Sequence, residues 1–374
     1  MAEAGSASGA YVFDTSTGKR LFSSRGETAR VLASNTKLFT TGAALAMEGT
    51  QGTIATRVLT AAPLGASGEL SGNLYLRGGG DPAFGSRSFV KNQYGSGATV
   101  EQLAEALYKQ GVRVVTGSVV GDESRFDSRR GGPASGFAAS GYVGGPLSAL
   151  GYNHGLTASG RFQDDPPSYA AARLTDALRK RGVEVRKPAD AGRTPSGAVE
   201  LARVESPPMS KLAKLTDLPS DNWFAEELAK GLPGSHGTTT GAAQVTVKFA
   251  SSRGARAHLV DGSGLSHSNK ASPHALVDYL VRERSQPEGG ALFAALPVAG
   301  ESGTLSGRMR SGAAHRRCHA KTGTLRGVST LSGYCRAKDG HLLMFSILMN
   351  GQSSTSQAQG LQDRMAQSIA SYEG

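Results

Sequence analysis

The chain has 374 residues, enough for two domains with a large core, and it contains no run of 18 apolar residues that could span a membrane as a helix. The formal net charge is +11, from 41 Lys and Arg against 30 Asp and Glu, so nucleic-acid binding has to be considered. The basic residues are scattered, however, and only 6% of the residues are aromatic. We therefore predict a solvated basic surface, no nucleic-acid partner and no transmembrane segment.

The amino-terminal residues 1–9 have neither the basic nor the apolar region of a signal peptide. Two interpretations stay open, a cytoplasmic protein or the mature form of an exported protein with a start Met added. Residues 9–22 then form two strand-like runs around a turn at 15–18, which predicts a β-hairpin. Good helix formers follow Ser34 over residues 35–47 and predict a helix.

Ser34 and Lys37 are the first candidate functional residues, at the start of this helix. Residues three apart on a helix are neighbours, so Lys37 is predicted to lie beside Ser34. A serine hydroxyl is a poor nucleophile until a base takes its proton, and a lysine can do so where its surroundings lower its pKa. Backbone N–H groups at the amino end of the helix favour a developing negative charge. The pair predicts a nucleophile with its base, although Ser34 could be only the helix N-cap.

The long segment after this helix predicts a second domain. Residues 103–114 and 174–185 are an internal repeat, each an amphipathic helix, a Gly C-cap and the start of a strand. Helix followed by strand, twice, indicates an inserted α/β domain over residues 54–205. Residues 1–53 and 206–374 then form one discontinuous domain.

Two further short segments are candidates for the site. The Ser-Asp-Asn segment at 220–222 stands directly before a predicted helix over 223–230, which it could simply cap. The Lys-Thr-Gly segment at 321–323 lies in the first of two strand-like runs around a turn with Gly, which predicts a hairpin. Lys321 is then on a strand where its positive charge can bind a substrate carboxylate. The same charge can lower the pKa of Lys37. An ordinary edge strand is the alternative.

The two cysteines, Cys318 and Cys335, fall on opposite arms of this hairpin at about equal distance from the turn. A cross-strand disulfide is therefore geometrically plausible, and it fits an oxidising compartment. Buried free thiols of a cytosolic protein are the alternative. Residues 341–349 predict an apolar strand and 357–372 a closing helix, so strands from both ends of the chain are expected to share one sheet with the hairpin.

Two patterns that suggest a bound ligand are interpreted otherwise. His315, Cys318 and His319 lack the paired spacing of a zinc site, so we predict no metal and no cofactor. The Gly-rich segments 78–82 and 261–266 lack the spacing of phosphate-binding loops. We interpret both as turns.

The three candidate segments stand in the order S-x-x-K, S-D-N and K-T-G, the motif set of penicillin-binding proteins and serine β-lactamases. Each motif alone is weak, but all three in this order are rare by chance. Over almost its full length the chain resembles the D-alanyl-D-alanine carboxypeptidases and endopeptidases of the penicillin-binding protein 4 type, the low-molecular-mass class C. Other segments that carry the resemblance are YLRGGGDP at 75–82, GDESRFD at 121–127, PLSAL at 146–150, DGSGLS at 261–266 and GTLSGRM at 303–309.

The resemblance implies an α+β fold: a penicillin-binding transpeptidase/β-lactamase-like domain, with an antiparallel sheet and helices, and an inserted α/β domain between the first and second motifs. It also implies that Ser34 attacks the terminal D-Ala-D-Ala bond of a peptidoglycan stem peptide, forms an acyl-enzyme and releases D-Ala. Lys37 takes the Ser34 proton, and Ser220 relays a proton to the leaving amine with the help of Lys321. Water then completes the hydrolysis. β-Lactam antibiotics are implied as covalent inhibitors, and the location as extracytoplasmic.

The same resemblance implies which residues bind the substrate. Asn222 holds the substrate amide, and Lys321 and Thr322 hold the terminal carboxylate. The backbone N–H groups of Ser34 and Thr324 form the oxyanion hole. One such donor typically stabilises the transition state by about 2.7–4 kcal/mol.

Two features depart from the pattern of this family. Residues 151–167 are too short to hold the further domain that members often carry within the inserted one. His267 directly follows the segment 261–266, where members often have Arg. A neutral imidazole weakens a carboxylate contact near pH 7, so the family's recognition of the peptide side chain does not carry over.

A serine β-lactamase or esterase, which uses the same three motifs, is the enzymatic alternative. In class A β-lactamases a Glu-activated water removes the acyl group, but no E-x-x-x-N segment stands between Asn222 and Lys321. We therefore expect a long-lived penicillin adduct on Ser34. A non-catalytic cell-wall binding protein is the alternative from another class, and the intact motifs argue against it.

Overall fold

The computed structural model of this protein describes residues 4–374, which divide into two compact units. We call one the motif unit, because it contains all three motifs, and the other the inserted unit. The domain limits drawn from the sequence, 54 and 205, stay predictions. Within the described residues the motif unit holds the chain up to Gln51, Met209–Ala225 and Thr239–Gly374, and the inserted unit holds Gly52–Pro208 and Glu226–Thr238.

Strands and helices are numbered along the chain. The strands are β1 Gly9–Asp14, β2 Lys19–Ser24, β3 Arg30–Val31, β4 Ala55–Thr60, β5 Glu69–Leu70, β6 Leu74–Arg77, β7 Val114–Val115, β8 Val119–Asp122, β9 Glu184–Val185, β10 Asp190–Ala191, β11 Val199–Glu205, β12 Ala257–His258, β13 Lys270–Ala271, β14 Cys318–Leu325, β15 Val328–Arg336 and β16 Leu342–Asn350. The α-helices are α1 Thr36–Glu48, α2 Arg87–Tyr94, α3 Val100–Lys109, α4 Pro166–Lys180, α5 Met209–Asp217, α6 Asn222–Gly231, α7 Thr239–Ser252, α8 Pro273–Arg284, α9 Gly289–Ala294 and α10 Thr355–Ala370.

The core of the motif unit is an antiparallel sheet with the strand order β14-β15-β16-β1-β2. Leu343, Phe345 and Ile347 alternate along β16 and share the face that packs against α10, while α8 contacts β1, β15 and β16. Helices therefore cover the sheet, and β16 is buried along almost its whole length. The antiparallel sheet that joins strands from both ends of the chain with the hairpin is confirmed.

The hairpin of β14 and β15 pairs without a register shift, from Cys318 opposite Cys335 to Leu325 opposite Val328. The two cysteines are fully buried and form a disulfide, which decides between the two alternatives that the sequence left open. Because β15 pairs with β14 on one side and with β16 on the other, β14 is the edge strand of the sheet. Its outer side carries a bridge from His319 to Val298 at its start. Beyond that bridge, the edge is the place where a substrate backbone can pair.

The inserted unit has a mixed sheet with the strand order β10-β8-β6-β4-β11 and a small parallel sheet, β5-β7-β9. The internal repeat of the sequence corresponds to α3 with β7 and to α4 with β9. Each helix is followed by a glycine with positive φ, Gly111 at 95° and Gly182 at 83°. The helices pack on each other and the two strands are parallel neighbours. Residues 151–165 lead directly into α4 with only one short 3-10 turn, so no further domain interrupts this unit.

Helix α1 lies in the interior of the motif unit. Its residues from Thr36 to Leu45 are all buried, including the polar ones. Packing covers the Thr and Gly positions of this helix as well as its apolar ones. The Thr40 hydroxyl donates to Gly262 O at 2.7 Å, so its burial costs no hydrogen bond. A helix enclosed in this way holds Lys37 in a fixed position.

Gly42 is buried in the middle of α1, where alanine would normally stabilise an exposed helix by about 1 kcal/mol. Here a Cβ would overlap the hydroxyl of Tyr279, which donates to Leu38 O at 2.8 Å. We expect Gly42→Ala to lower the free energy of unfolding by about 1–3 kcal/mol, because the core is already filled. Chemical denaturation measures the change. The control is Gly360→Ala in α10, where a Cβ meets nothing within 4 Å and should stabilise; a gain at both sites would contradict the packing argument.

Candidate active site

The three motifs meet within the motif unit. Lys37 Nζ lies 3.1 Å from Ser34 Oγ and 2.6 Å from Asn222 Oδ1. Lys321 Nζ, on β14, lies 2.7 Å from Ser220 Oγ. Five of the site residues predicted from the sequence are therefore held in hydrogen-bonded contacts, although almost the whole chain lies between the first and the last of them.

Ser34 lies in a 3-10 turn, Ala33–Asn35, and the α-helix begins only at Thr36. The sequence predicted the helix directly after Ser34, and it begins one residue later than the predicted stretch. The alternative interpretation of Ser34 as the N-cap is wrong, because the N-cap is Asn35. The Asn35 side chain makes no capping bond and instead donates from Nδ2 to Lys321 O at 2.8 Å. This bond ties the Ser34 turn to β14.

Ser220 and Asp221 make different contacts at the start of α6. Asp221 Oδ1 accepts the N–H of Phe224 at 2.9 Å, so the capping interpretation holds for Asp221. Ser220 has a φ of 64°, a left-handed conformation that is uncommon for serine. It leaves the Ser220 hydroxyl within reach of Lys321 rather than of the helix end.

Lys37 is fully buried, and its surroundings decide which way its hydrogen bonds run. Besides Ser34 Oγ, its Nζ lies 2.6 Å from Asn222 Oδ1 and 2.8 Å from Ser263 O. These amide and peptide oxygens can only accept hydrogen bonds. A neutral Lys37 amine can donate its two hydrogens to them and turn its lone pair to the Ser34 hydroxyl. The arrangement therefore lets Lys37 take the proton of Ser34.

The carbonyl of Ser263 is presented by the Gly-rich turn at 261–266. Asp261 is buried and accepts backbone N–H bonds from Gly264 at 2.7 Å and Ser266 at 2.8 Å. Gly264 has a φ of 90°, and a Cβ there would overlap the carbonyl oxygen of Ala33, so the turn packs directly on the Ser34 turn. The sequence correctly predicted a turn, but its part in the site was missed.

Lys321 is fully buried, with Nζ 2.7 Å from Ser220 Oγ and 3.0 Å from Thr322 O. Burial lowers the pKa of Lys321 to about 7; the positive charge of Lys37 acts in the same direction, and the carboxylate of Asp217 opposes both. Burial therefore makes Lys321 give up its proton more easily than a lysine in water does. Such a group can pass a proton to the Ser220 hydroxyl and take one back.

The outer edge of β14 carries two backbone donors. Ala320 N donates to Pro297 O at 2.9 Å, so the N–H of Ala320 points away from β15. Successive N–H groups of a strand alternate in direction, and those of Thr322 and Thr324 therefore face the same outer edge. Thr324 is exposed there and Thr322 is buried.

Gly323 lets the Ser34 turn approach this edge closely. A Cβ at position 323 would lie 2.8 Å from Ser34 N and would overlap the Thr330 hydroxyl. The glycine of the K-T-G motif is thus required by packing. As a result, the N–H of Ser34 lies against the strand that carries the N–H of Thr324, the arrangement that an oxyanion hole requires.

Thr322 has a partner that the local sequence pattern did not indicate. Its Oγ1 lies 2.7 Å from Oγ1 of Thr304, in the 3-10 turn Gly303–Leu305. One of the two hydroxyls donates to the other, so one hydroxyl hydrogen of the pair stays available to a bound ligand. The segment 303–309 was noticed only as a resemblance, and nothing in its residue types indicates this position.

The histidines and cysteine considered as metal ligands have other partners. Cys318 is in the disulfide, His319 stacks on Tyr334 at 4.8 Å between ring centroids, and His315 lies 3.1 Å from Glu301. Within residues 4–374, no three His, Cys, Asp or Glu side chains are grouped so that they could hold a metal ion. The same residues include no helix with the length and apolar character needed to cross a bilayer.

The chain matches a family of known enzymes over almost its whole length. The family model described as "D-Ala-D-Ala carboxypeptidase 3 (S13) family" matches residues 2–150 and 143–372. A relative, the D-alanyl-D-alanine carboxypeptidase of Actinomadura sp. (strain R39), is 31% identical over 456 residues, which cover 99% of this chain and 82% of the relative.

Two solved structures share the fold. Penicillin binding protein 4 (dacB) from Haemophilus influenzae superposes with a TM-score of 0.80 at 22% identity, covering 98% of this chain and 96% of that chain. The penicillin G acylated Bd3459 predatory endopeptidase from Bdellovibrio bacteriovorus, in complex with immunity protein Bd3460, has a TM-score of 0.55 at 17% identity and covers 97% and 88%. At these identities the likeness establishes the fold, and the α+β architecture predicted from the sequence is confirmed.

Proposed function

This chain belongs to the D-Ala-D-Ala carboxypeptidase 3 (S13) family, and from that premise we propose that it is a serine DD-peptidase of peptidoglycan with Ser34 as nucleophile. It removes the terminal D-Ala of stem peptides as a carboxypeptidase and cleaves peptide cross-links as an endopeptidase. The observation that carries the proposal is the contact of 3.1 Å between Lys37 Nζ and Ser34 Oγ inside a buried polar cluster. β-Lactams acylate the same serine, a proposal supported by the penicillin G acylated endopeptidase of similar fold.

In the acylation step, Ser34 Oγ attacks the carbonyl carbon of the penultimate D-Ala while its proton moves to Lys37 Nζ. Asn222 Oδ1 and Ser263 O then accept hydrogen bonds from the new ammonium group, which is thereby stabilised. The N–H groups of Ser34 and Thr324 hold the negative oxygen of the tetrahedral intermediate. Each is expected to stabilise it by about 2.7–4 kcal/mol.

The intermediate collapses when the bond between carbonyl carbon and nitrogen breaks. The leaving amine takes the hydroxyl proton of Ser220, and Lys321 replaces that proton across 2.7 Å. A pKa of about 7 suits Lys321 for this transfer at neutral pH. A water molecule then attacks the acyl carbonyl carbon and gives one proton to Lys321 through the Ser220 hydroxyl. The ester bond to Ser34 Oγ breaks, Ser34 Oγ takes back the proton held on Lys37, and the shortened peptide leaves as the acid.

The substrate lies along the edge of β14 in this proposal. The terminal carboxylate binds the hydroxyl of Thr322, supported by Thr304 and the charge of Lys321, and Asn222 holds the peptide amide. The proposal does not extend to the stem-peptide side chain, since His267 is exposed at the position where similar enzymes often have Arg. An extracytoplasmic location is part of the proposal, because peptidoglycan lies there and the disulfide fits an oxidising compartment.

Incubation with penicillin followed by intact-mass measurement tests the proposed function. We expect a stable mass gain of one penicilloyl group on the wild-type protein and none on Ser34→Ala. The serine oxygen is the only heavy atom removed in this variant, so its folding is expected to be unchanged. Release of D-Ala from a peptide ending in D-Ala-D-Ala then distinguishes a peptidase from a silent acyl acceptor.

The other outcomes identify the alternatives. Rapid turnover of penicillin without a lasting adduct would indicate a β-lactamase. An adduct that persists on Ser34→Ala would assign the nucleophile elsewhere. No adduct on the wild type would contradict the catalytic proposal and favour a non-catalytic cell-wall binding protein.

A further inference from the structure

Asp217 is a buried carboxyl group next to the candidate active site that belongs to none of the three motifs. It is the last residue of α5, and its side chain is fully buried. Asp217 Oδ2 lies 2.8 Å from Thr41 Oγ1, one helical turn after Lys37 on α1. Among the described residues, the other carboxyl oxygen of Asp217 has no hydrogen-bond partner. A buried carboxylate would normally satisfy both oxygens, so its protonation state needs an explanation.

The hydroxyl of Thr41 explains how Asp217 can be protonated, because it has one hydrogen and two neighbouring acceptors. Thr41 Oγ1 lies 2.7 Å from Lys37 O and 2.8 Å from Asp217 Oδ2, and both are acceptors while Asp217 is ionised. One hydrogen cannot serve both. If Asp217 is protonated, it donates to Thr41 Oγ1 and Thr41 donates to Lys37 O, so that each contact is a hydrogen bond. The same positions of the oxygen atoms therefore fit both protonation states of Asp217. The two states differ in which group donates the hydrogen between Asp217 and Thr41.

The charged and titratable groups around Asp217 are the two active-site lysines and a tyrosine. Lys37 on α1 and Lys321 on β14 are close enough for their charges to favour the ionised form of Asp217. Tyr279 on α8 is also near, and burial raises its pKa so that it stays neutral. Helix α9, which packs on α5, carries no titratable side chain. Burial raises the pKa of Asp217 to about 6 against the opposing effect of the lysines and Thr41.

We propose that Asp217 is a positioning residue that exchanges a proton with its surroundings and thereby sets how many protons Lys37 and Lys321 hold during the reaction. The proposal rests on the proposed function, because it concerns the same nucleophile and the same proton transfers. The hydrogen bond of the Asp217 side chain runs to Thr41 and not to Ser34 or to β14. It acts through its charge on the lysines and through Thr41, which bonds the backbone of Lys37.

The sign of the effect follows from the charges. Ionised Asp217 favours the protonated forms of both lysines. Removing its negative charge makes each lysine lose its proton at a lower pH. Lys37, the base, is then neutral at a lower pH than in the wild type. Lys321, whose positive charge attracts the substrate carboxylate, also loses that charge at a lower pH. Both limbs of a bell-shaped acylation profile should move in the acid direction.

Asp217→Asn tests this, because an amide has the shape of the neutral acid and can donate to Thr41 in the same way. The second-order rate constant for acylation by penicillin is measured against pH for wild type and variant. We expect both limbs of the profile to shift by about 1 pH unit toward acid. Glu48→Gln, which removes an exposed carboxylate from the end of α1, is the matched control and should leave the profile unchanged.

Thr41→Val is the second variant and decides the matter if Asp217→Asn does not fold. It removes the hydroxyl that contacts Asp217 in both protonation states. Because a hydrogen bond to a charged acceptor is the stronger one, its loss costs the ionised carboxylate more than the neutral acid. Asp217 then stays neutral to higher pH, and the profile should shift in the same direction. Rates lowered equally at every pH, with the limbs in place, would overturn the inference and leave Asp217 a structural role only. A wild type that penicillin does not acylate would instead contradict the proposed function, so the two failures are distinguishable.

Discussion

Replacing Lys37 with methionine is expected to slow the acylation of Ser34 by penicillin by about 10²–10⁴-fold, the range that a general base contributes. Methionine roughly fills the space of the lysine side chain but cannot accept the Ser34 proton. The variant also leaves Asn222 Oδ1 and Ser263 O without the Lys37 donor they have at 2.6 and 2.8 Å, which costs some stability. The rate of adduct formation, followed by intact mass, measures the effect.

Lys248→Met is the matched control for this variant. Lys248 is an exposed lysine on α7 in the same unit, so its replacement removes the same charge without touching the cluster. Its acylation rate should equal that of the wild type. If Lys37→Met, shown to be folded by circular dichroism, is acylated at the rate of Lys248→Met, Lys37 is not the base and another group must take the Ser34 proton.

The second large effect is expected on stability. Replacing both Cys318 and Cys335 with alanine should lower the free energy of unfolding of the motif unit by about 3 kcal/mol. The disulfide closes a loop with a sequence separation of 17, and its loss gives the unfolded chain more conformational freedom. Denaturant unfolding in the absence of reductant measures the difference. The ladder from His319 to Leu325 still pairs with β15, so acylation under native conditions should persist.

Reducing conditions provide the control for the disulfide. With a reductant strong enough to open the bond, the wild type should lose most of its advantage over the double variant, which has no bond to lose. The remaining difference in the free energy of unfolding then measures the packing of the two buried sulfur atoms. Equal stability of the oxidised wild type and the double variant would contradict a stabilising role for this bond.

The catalytic candidates were accessible from the sequence because their chemistry depends on residue type and short spacing. Ser34 and Lys37 are three apart, and a helical turn of any kind brings such residues together. The disulfide was accessible for a similar reason, since cysteines at equal distances from a hairpin turn must face each other. In both cases local geometry suffices.

The start of the helix was not accessible in the same way. Ser34 lies in a 3-10 turn because neighbours distant in sequence hold it there: Asn35 bonds the backbone of Lys321, and Gly264 and Gly323 allow two other segments to pack closely on it. A propensity argument considers only the chain on either side of Ser34, where good helix formers favour an earlier start.

Thr304, Ser263 and Asp217 could be assigned a role only from the tertiary structure. Thr304 matters because it lies 2.7 Å from Thr322, and Ser263 because its backbone oxygen, which every residue has, faces Lys37. Neither property can be recognised from the type of the residue. In the sequence, Asp217 is an ordinary polar residue at a helix end, whereas the fold buries it beside two lysines.

By itself, the sequence determined the family and predicted the antiparallel sheet that unites both ends of the chain. It also made Ser34 and Lys37 the candidate nucleophile and base, placed the two other motifs and indicated a disulfide between Cys318 and Cys335, with free thiols as the alternative. Each of these is carried by residue identity at short spacing or by a strong local pattern. Only the tertiary structure decided how Ser34 is held, which carbonyl faces Lys37 and how the charges of Lys37, Lys321 and Asp217 act on one another. Those properties depend on distance and burial between segments far apart in the chain, and a carboxylate or an amine changes its proton affinity only when the fold removes it from water or brings another charge close to it.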